Sequence, residues 1–374
     1  MDGKAVMNLR DAGIFHLDTQ FGWRGGQQQA AYLLQHMQAS GYRTAMICQP
    51  RSHLQRFCRD QELPVHEVRV RGEWDGLAGY HVARICRAHG VKLLHTHAAH
   101  AHAIGLWAKL LLPSLKLVVT RRVDFSIRNT PLSRLKYTNR LVDAIVCISD
   151  NVRRVMLVDG VPERLLTTIH SGVDTGRHDS CRASGCWRAR LGIPPQHLVV
   201  GTVAALVGHK DYPTLLRAAQ MVLRENDQIT FCALGDGHLA PRLKKMAARL
   251  KLGERFIFAG FQRQVGEFLA NYDIFVLASH LEGLGTSILD AQAMGLAVVA
   301  CRSGGIPEIV QDGHSGILVP PRNPAALAQA ILALAADRRQ RIRLGEQARH
   351  WVQRFGVQAM VARYLALYRD LLSR

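Results

Sequence analysis

The chain has 374 residues, 48% of them hydrophobic, which is more than one ordinary core needs and predicts two folded domains. No stretch approaches the roughly 20 apolar residues of a membrane-spanning helix. No apolar segment follows the N-terminal residues, so we expect no signal peptide. Lys and Arg number 48 against 29 Asp and Glu, and the net charge of +19 predicts an acidic partner.

That partner could be nucleic acid, anionic lipid or a phosphorylated glycolipid. Aromatic residues make up only 6% of the chain and no nucleic-acid motif accompanies the charge, so we expect no nucleic acid. A membrane surface or an anionic glycolipid is favoured, and ordinary solubility charge is the alternative.

The eight cysteines are scattered, and several fall inside predicted strands: Cys48, Cys147, Cys232 and Cys301. This pattern indicates buried, reduced thiols in a cytoplasmic protein. If the acidic partner is lipid, the protein would lie at the inner face of the cytoplasmic membrane. Cys181 and Cys186 form a near pair, but no second pair or histidine couple completes a zinc site.

The first predicted strand, at 13–17, leads through a glycine loop into a helix at 27–37. Gly25 and Gly26 would let the backbone approach a ligand closely. A tight turn without a ligand is the alternative.

A predicted strand at 91–95 ends in His95 and His97, where parallel sheets bind ligands. His95 is expected to point into the fold. With His100 and His102 the cluster suggests a metal, but these histidines straddle a strand–helix junction and we expect none.

Arg121 and Arg122 follow the next predicted strand and could contact an anionic acceptor or a leaving phosphate; a solvated loop is the alternative. A helix at 133–140 carries basic residues beside Leu and Tyr, which suits anionic lipid, although a plain exposed face is the alternative. Its basic residues are Arg134, Lys136 and Arg140.

Glycine and proline cluster at 175–195, which predicts a linker. A second α/β domain starts with a strand at 198–204. Lys210 follows this strand, and Asp211 could cap the helix at 213–223. Gly235 begins a turn after the strand at 229–234, and Arg263 lies in the loop after the strand at 256–259.

The most informative stretch is 273–305, which predicts strand, glycine loop, helix, strand and glycine loop. Glu282 precedes the helix and Asp290 lies inside it, one turn past Thr286. Thr286 or Ser287 could cap this helix, which would end near Gly295. A glycine loop before a helix presents free N–H groups that suit a phosphate. A plain βαβ unit with Glu282 in a solvated loop is the alternative.

Glu282-x7-Asp290, followed by GGIPEIVQDG-SGILVPP at 304–321, resembles the Glu-x7-Glu signature of retaining, nucleotide-sugar-dependent glycosyltransferases of the GT-B fold. This is the family 4, or group 1, class that includes lipopolysaccharide and cell-envelope glycan transferases. The second Glu of the signature is Asp here, and Ala205 stands at the usual Arg position. The resemblance covers nearly the whole chain and is strongest over 198–335.

The resemblance implies an α/β protein with two Rossmann-like, doubly wound parallel sheets facing a cleft. The acceptor-side domain would span 1–180 and the nucleotide-sugar-binding domain 195–355. The helix within 356–374 would cross back to the first domain.

It also implies roles for individual residues. Glu282 would hold donor-sugar hydroxyls, and His97 would lie near the reacting carbon. Asp290 would accept the ribose hydroxyls. Arg121 and Arg122 remain candidates for the acceptor. The other donor-binding candidates are Lys210, Gly283, Leu284, Gly285, Thr286, Ser287, Gly25, Gly26, Gly235 and Arg263.

No Asp-x-Asp pair occurs in the chain, so we expect no metal and no other cofactor. Lys210 and the amides at 285–287 would then neutralise the leaving diphosphate. The predicted reaction moves a sugar from a nucleotide sugar to a glycan or glycolipid with retention of configuration. The alternatives are a GT-B nucleotide-sugar epimerase and a non-catalytic basic protein that binds polyanions or lipid.

Overall fold

The computed structural model describes residues 8–128, 131–176 and 186–374. The chain divides into two compact units. The first extends to Gly172 and takes in Val357–Arg374, and the second is Val173–Gly356. Cys181 and most of the predicted linker lie outside the described residues, as does the Cys186 side chain.

The first unit is built on a seven-stranded parallel sheet with the order β3-β2-β1-β4-β5-β6-β7. Ile14 of β1 is in register with Thr44 of β2 and Leu93 of β4. Short apolar runs of the sequence form the central strands β1, β2, β4 and β6, which are buried throughout as parallel strands between helices require, whereas the edge strands β3 and β7 are only partly buried. The strands are β1 Ile14–Asp18, β2 Thr44–Cys48, β3 Val65–Glu67, β4 Leu93–Thr96, β5 Lys116–Arg121, β6 Ala144–Cys147 and β7 Leu166–Thr168.

Helices connect these strands, and the last helix of the chain also belongs to this unit. They are α1 Gly25–Ala39, α2 His53–Asp60, α3 Gly76–Ala88, α4 Ala99–Leu111, α5 Pro131–Thr138, α6 Asp150–Val158 and α15 Val357–Ser373. A short 3₁₀ turn spans Glu163–Leu165. Met360 and Tyr364 of α15 pack in one apolar cluster with Tyr32 and Met37 of α1. Each large apolar side chain buried there contributes about 1.5–3 kcal/mol of transfer free energy.

The second unit has a six-stranded parallel sheet in the order β10-β9-β8-β11-β12-β13. Ile274 of β11 is in register with Val200 of β8 and Ala297 of β12. The strands are β8 Leu198–Val203, β9 Ile229–Leu234, β10 Phe256–Gly260, β11 Ile274–Leu277, β12 Ala297–Cys301 and β13 Ile317–Val319.

Its helices are α7 Cys186–Arg190, α8 Tyr212–Glu225, α9 Ala240–Arg249, α10 Val265–Leu269, α11 Thr286–Ala293, α12 Ile306–Ile309, α13 Pro324–Ala336 and α14 Arg338–Trp351. Three 3₁₀ turns lie at Gly208–Lys210, Gly253–Arg255 and Val352–Phe355. The predicted fold class, two doubly wound parallel sheets, is confirmed.

Two of the local predictions are wrong. Gly285, with φ 92°, is the N-cap of α11, not Thr286 or Ser287, because the chain enters this helix through a left-handed turn that suits glycine. Lys136 does not lie on an exposed basic face. Its side chain is buried, and its ammonium forms an ion pair with Glu73.

Other local predictions are confirmed. Asp211 caps α8, and its side chain accepts a hydrogen bond from the Thr214 amide. The six cysteines described as free thiols are buried, and burial raises the pKa of each to about 12. Among the described residues, no helix has both the length and the apolar character that a bilayer crossing requires.

Candidate functional site

In the second unit, the chain order reverses between the neighbouring strands β8 and β11. Open parallel sheets bind ligands at such a switch point, beyond the carboxyl ends of the strands. Lys210 lies after β8 and Glu282 after β11, and their side chains form an ion pair between Nζ and Oε2. The sequence gives these residues separate roles, whereas the fold pairs them with each other.

Neighbouring strand ends hold the Glu282 carboxylate in place. The Ser279 hydroxyl donates to Glu282 Oε2 at 3.0 Å, and the Ser303 hydroxyl donates to the Ser279 carbonyl at 2.6 Å. The Gly305 amide donates to the Glu282 carbonyl at 2.9 Å. The side chains of Lys210 and Glu282 are only 15% and 12% exposed, so little solvent screens their attraction. The ion pair therefore holds one positive and one negative side chain at fixed, partly buried positions.

A strained turn orients Lys210. Asp211 adopts a left-handed conformation with φ 48°, and its carboxylate also accepts a hydrogen bond from the Thr214 hydroxyl at 2.8 Å. The His280 amide donates to the His209 carbonyl at 3.0 Å, which ties the segment after β11 to the turn that carries Lys210. The two charged residues are thus positioned by backbone as well as by their own attraction.

The glycine loop leads from Glu282 into α11. Gly283, Leu284 and Gly285 are buried, while Thr286, Ser287 and Asp290 are half-buried. The N-cap of α11 is Gly285, which has no side chain to cap the first turn. Its N-terminal amides therefore retain the positive end of the helix dipole beside the ion pair.

Gly235 belongs to the supporting backbone. It has φ 135°, and a Cβ atom there would lie 2.1 Å from the Ala204 carbonyl oxygen. Its amide donates to the Gly260 carbonyl at 2.8 Å. Gly235 thereby packs the ends of β8, β9 and β10 together. Arg263 is exposed in the loop after β10, close in sequence to the exposed ring of Phe261.

The first unit has its own switch point, between β1 and β4. His97, just beyond β4, is buried rather than exposed to solvent. Its Nε2 lies 3.1 Å from Nδ1 of His16, so one of the two rings donates a hydrogen bond to the other. His97 Nδ1 is buried and has no hydrogen-bond partner among the described residues.

His95 supports His97 from the other side. The two rings lie 4.0 Å apart between centroids. Each His95 nitrogen lies 2.6 Å from a hydroxyl, Nδ1 from Tyr368 on α15 and Nε2 from Thr120 on β5. The prediction that His95 points into the fold is confirmed.

Burial keeps these rings neutral. It lowers the pKa of His16 to about 3, and it lowers the pKa values of His95 and His97 well below 6.5. The neighbouring rings and the positive charge of Arg122 lower the latter two pKa values further. At neutral pH, His97 can therefore offer a hydrogen bond but not a charge.

Arg122 and the glycine loop meet beside these histidines. A Cβ atom on Gly26 would lie 3.2 Å from Arg122 Cδ, so the bare glycine leaves room for the arginine. Burial lowers the pKa of Arg122, and the carboxylate of Asp18 acts against that shift. Asp18 in turn accepts hydrogen bonds from the Gln27 side chain at 2.9 Å and the Gln20 amide at 2.8 Å.

Arg121 does not join this group. It is 8% exposed, and its guanidinium donates to the Tyr137 hydroxyl at 3.2 Å and to the Phe125 carbonyl at 2.5 Å. Its two terminal nitrogens are therefore engaged inside the unit, whereas its buried Nε has no hydrogen-bond partner among the described residues. Arg122 Nε is likewise buried without a partner there. The assignment of Arg121 and Arg122 to an acceptor stays a prediction.

His16, His95 and His97 present ring nitrogens within 4.8 Å of one another, a spacing that could hold a metal ion. The donor set fits a cation poorly. Both nitrogens of His95 already meet hydroxyls, and the charge of Arg122 opposes a second positive charge.

Sequence reasoning missed His16, Asp18, Thr120 and Tyr368. His16 and Asp18 are two residues apart in β1, so both side chains lie on one face of a buried strand. Polar residues in such a strand are a signal that could have identified them.

Two family models match the chain. The one described as Glycosyl transferases group 1 matches residues 186–351, and the one described as Glycosyltransferase Family 4 matches residues 23–177. The D-inositol 3-phosphate glycosyltransferase of Corynebacterium jeikeium is 30% identical over 317 residues, covering 78% of this chain and 75% of that protein.

Two further relatives match over less of their length. The lipopolysaccharide core biosynthesis glycosyltransferase LpsE of Rhizobium meliloti is 32% identical over 63% of this chain and 66% of its own. The D-inositol 3-phosphate glycosyltransferase of Streptomyces bingchenggensis is 34% identical over 53% of this chain and 46% of its own, so the match spans about half of that relative.

The fold is also that of solved structures. Anabaena HepE, crystallised with UDP and glucose, superposes with a TM-score of 0.84 at 21% identity, covering 95% of this chain and 99% of that one. Together with the two matched models and the Corynebacterium relative, this shows that the chain belongs to the group 1, family 4 glycosyltransferases and has their GT-B fold.

Proposed function

We propose that the protein transfers a sugar from a nucleotide-sugar donor to a glycan or glycolipid acceptor, with retention of anomeric configuration and without a metal ion. The observation that carries the proposal is the Lys210–Glu282 ion pair at the switch point of the second sheet. In this pair, the Lys210 ammonium could bind a diphosphate, and the neighbouring Glu282 carboxylate could accept hydrogen bonds from sugar hydroxyls.

Donor binding would rearrange this pair. The diphosphate would bind Lys210 in place of Glu282, because a diphosphate carries more negative charge than one carboxylate. Glu282, still held by the Ser279 hydroxyl, would then accept hydrogen bonds from the donor sugar. The amides of Gly285, Thr286 and Ser287 would share the developing charge on the leaving group.

The remaining donor contacts follow from the resemblance. Asp290 would accept the ribose hydroxyls, and the loop carrying Arg263 would lie under the base. Gly283 and Leu284 shape the turn that leads to the amides of α11. Gly235 would act through the backbone that it packs rather than by contact with the donor. Metal independence rests on the absence of an Asp-x-Asp pair from the sequence.

In the first unit, His97 would contribute a neutral imidazole. Its Nδ1 is the ring nitrogen left for a substrate hydroxyl, because Nε2 faces His16. Gly25 and Gly26 would let an anionic group approach Arg122. The relative LpsE is a lipopolysaccharide core biosynthesis glycosyltransferase, which supports an envelope glycan or glycolipid as the proposed acceptor.

The test is sugar transfer by Glu282→Ala, measured with UDP-, GDP- and ADP-sugars that a thermal-shift panel has first ranked. We expect a loss of about a hundredfold or more, as for other preorganised transition-state contacts. Glu163→Ala, which removes an exposed partner of Arg153, is the matched control and should be neutral.

Three outcomes contradict the proposal. Glu282→Ala with wild-type turnover would remove its central residue. Inversion at the anomeric carbon, read by NMR of the product, would exclude retention. Conversion of the donor without any acceptor would instead indicate an epimerase.

A further inference from the structure

The first unit carries six exposed apolar side chains on α3 and α4 and in the segment just before α3. We call these six residues the α3–α4 face. Their exposed fractions run from 38% to 57%, which is high for large apolar groups in a folded domain. They are Trp74, Leu77, Tyr80, Trp107, Leu110 and Leu111.

Contacts between the two helices make this face continuous. Trp107 lies over α3, where a Cβ atom on Gly79 would be only 2.3 Å from Trp107 Cβ. Further along, the Arg87 guanidinium donates to the Leu111 carbonyl at 3.1 Å. The exposed residues Leu77, Tyr80 and Arg84 follow one another at helical spacing along α3.

A basic hollow adjoins the face. It has a volume of about 440 Å³, and Leu77 of the α3–α4 face is part of its wall. Its basic groups are Arg69, Arg71, Arg84 and His81.

The two carboxylates of the hollow are already engaged. Asp75 caps α3 and accepts from the Ala78 and Arg71 amides at 3.0 and 2.9 Å. Glu67 accepts from Arg59 at 2.5 Å and from Gln55 at 2.7 Å. Both acids thus have partners of their own, and the three arginines outnumber the two carboxylates, which leaves the hollow basic.

We propose that the α3–α4 face and its basic hollow dock the protein onto an anionic phospholipid surface. Trp and Tyr rings favour the level of the lipid headgroups, while Leu side chains enter the acyl boundary. Guanidinium groups pair with lipid phosphates through two parallel hydrogen bonds. A second copy of this chain suits the face less well, because each copy carries a net charge of +19.

This surface differs from the one that charge spacing favours in the sequence. Lys136 of α5 is 3% exposed and bound to Glu73, so of the three basic residues expected at that surface Arg134 and Arg140 are exposed and Lys136 is not. The inference does not depend on the proposed sugar transfer, because no residue of the face belongs to the ion pair or the histidine group.

The test is flotation of the full chain with vesicles of phosphatidylcholine, alone or mixed with phosphatidylglycerol. We expect binding to the mixed vesicles that weakens with added salt. Brominated acyl chains in the same vesicles should quench the tryptophan fluorescence, because Trp74 and Trp107 would reach the acyl boundary.

Two variants separate the apolar and basic contributions. L77S/Y80S/L110S should abolish the quenching and reduce binding at least about tenfold, since it removes inserted side chains. R69Q/R71Q/R84Q should weaken binding to the mixed vesicles by roughly fivefold for each arginine. The matched controls change exposed residues of the second unit, M221S/I342S and R217Q/R224Q/R249Q.

Folded wild-type protein that binds no mixed vesicles would overturn the inference. Equal binding by all variants would also overturn it. Concentration-dependent self-association that L77S/Y80S/L110S removes, without vesicle binding, would identify a second copy as the occupant instead. A negative result for vesicle binding would not contradict the proposed sugar transfer. An inactive Glu282→Ala protein should still bind the mixed vesicles.

Discussion

The two sheets share the strand order third, second, first, fourth, yet their switch points differ in charge. In the second unit, Lys210 and Glu282 keep opposite charges at a partly exposed site. In the first unit, His16, His95 and His97 are buried and neutral. Topology therefore places the ends of the strands at the switch point. Burial and ion pairing determine which of the side chains there stay charged.

The largest expected effect is an acid sensitivity that is greater in the first unit than in the second. Its buried neutral histidines have folded pKa values below the unfolded value of 6.5, and burial is the main cause. The unfolded chain then binds more protons as pH falls below 6.5, so stability is present above that pH and is lost below it. Between pH 6.5 and 5.5 each of these histidines should lower the free energy of unfolding by about 1 kcal/mol. The four histidines concerned are His16, His95, His97 and His102.

Hydrogen exchange, corrected for intrinsic rates, measures this loss strand by strand. Protection of β1 and β4 should fall much more than that of β8 and β11. Among the described residues, the second unit has one buried histidine with a lowered pKa, His197, against the four of the first unit. Burial raises the pKa of Asp18, which acts in the opposite sense as the pH falls. Equal losses in both sheets would contradict the comparison.

A smaller effect concerns catalysis and compares the two switch points directly. Lys210→Ala should lower kcat/KM about a hundredfold, because it removes a charge at the leaving group. His97→Ala should lower it only about threefold to tenfold, because a neutral hydrogen bond contributes about 0.5–1.5 kcal/mol. Lys244→Ala, at an exposed lysine of the second unit, is the control. If His97→Ala lowered kcat/KM more than Lys210→Ala does, the assignment of the leaving-group charge to Lys210 would be wrong.

The smallest expected effect is Tyr368→Phe, which removes the hydroxyl at His95 Nδ1. An unsatisfied buried polar atom costs about 1–3 kcal/mol, so urea unfolding should show a loss of this size. Tyr80→Phe changes an exposed ring and should stay within about 0.5 kcal/mol. Equal stabilities of the two variants would show that the hydroxyl does not hold His95.

The sequence predicts the second switch point better than the first for a physical reason. Glu282 and the turn into α11 lie within a few residues, so local spacing is enough. The first site joins His16 to His97 across 81 positions and His95 to Tyr368 across 273. Spacing cannot reveal contacts that only the folded sheet and α15 create.

The two wrong local predictions have separate causes. At α11, side-chain capping preference favours Thr286 or Ser287, but a positive φ selects Gly285 as the cap. At α5, charge spacing favours an exposed Lys136, but Glu73, 63 residues away, pairs with it inside the unit.

The most direct test of the central claim is calorimetric binding of UDP, GDP and ADP in excess EDTA. If Lys210 replaces a metal, the preferred nucleotide should bind wild-type protein equally well with and without EDTA. Lys210→Ala should weaken that binding by about tenfold or more, and Lys244→Ala should not. Binding that requires a divalent ion, or that Lys210→Ala leaves unchanged, would contradict the account.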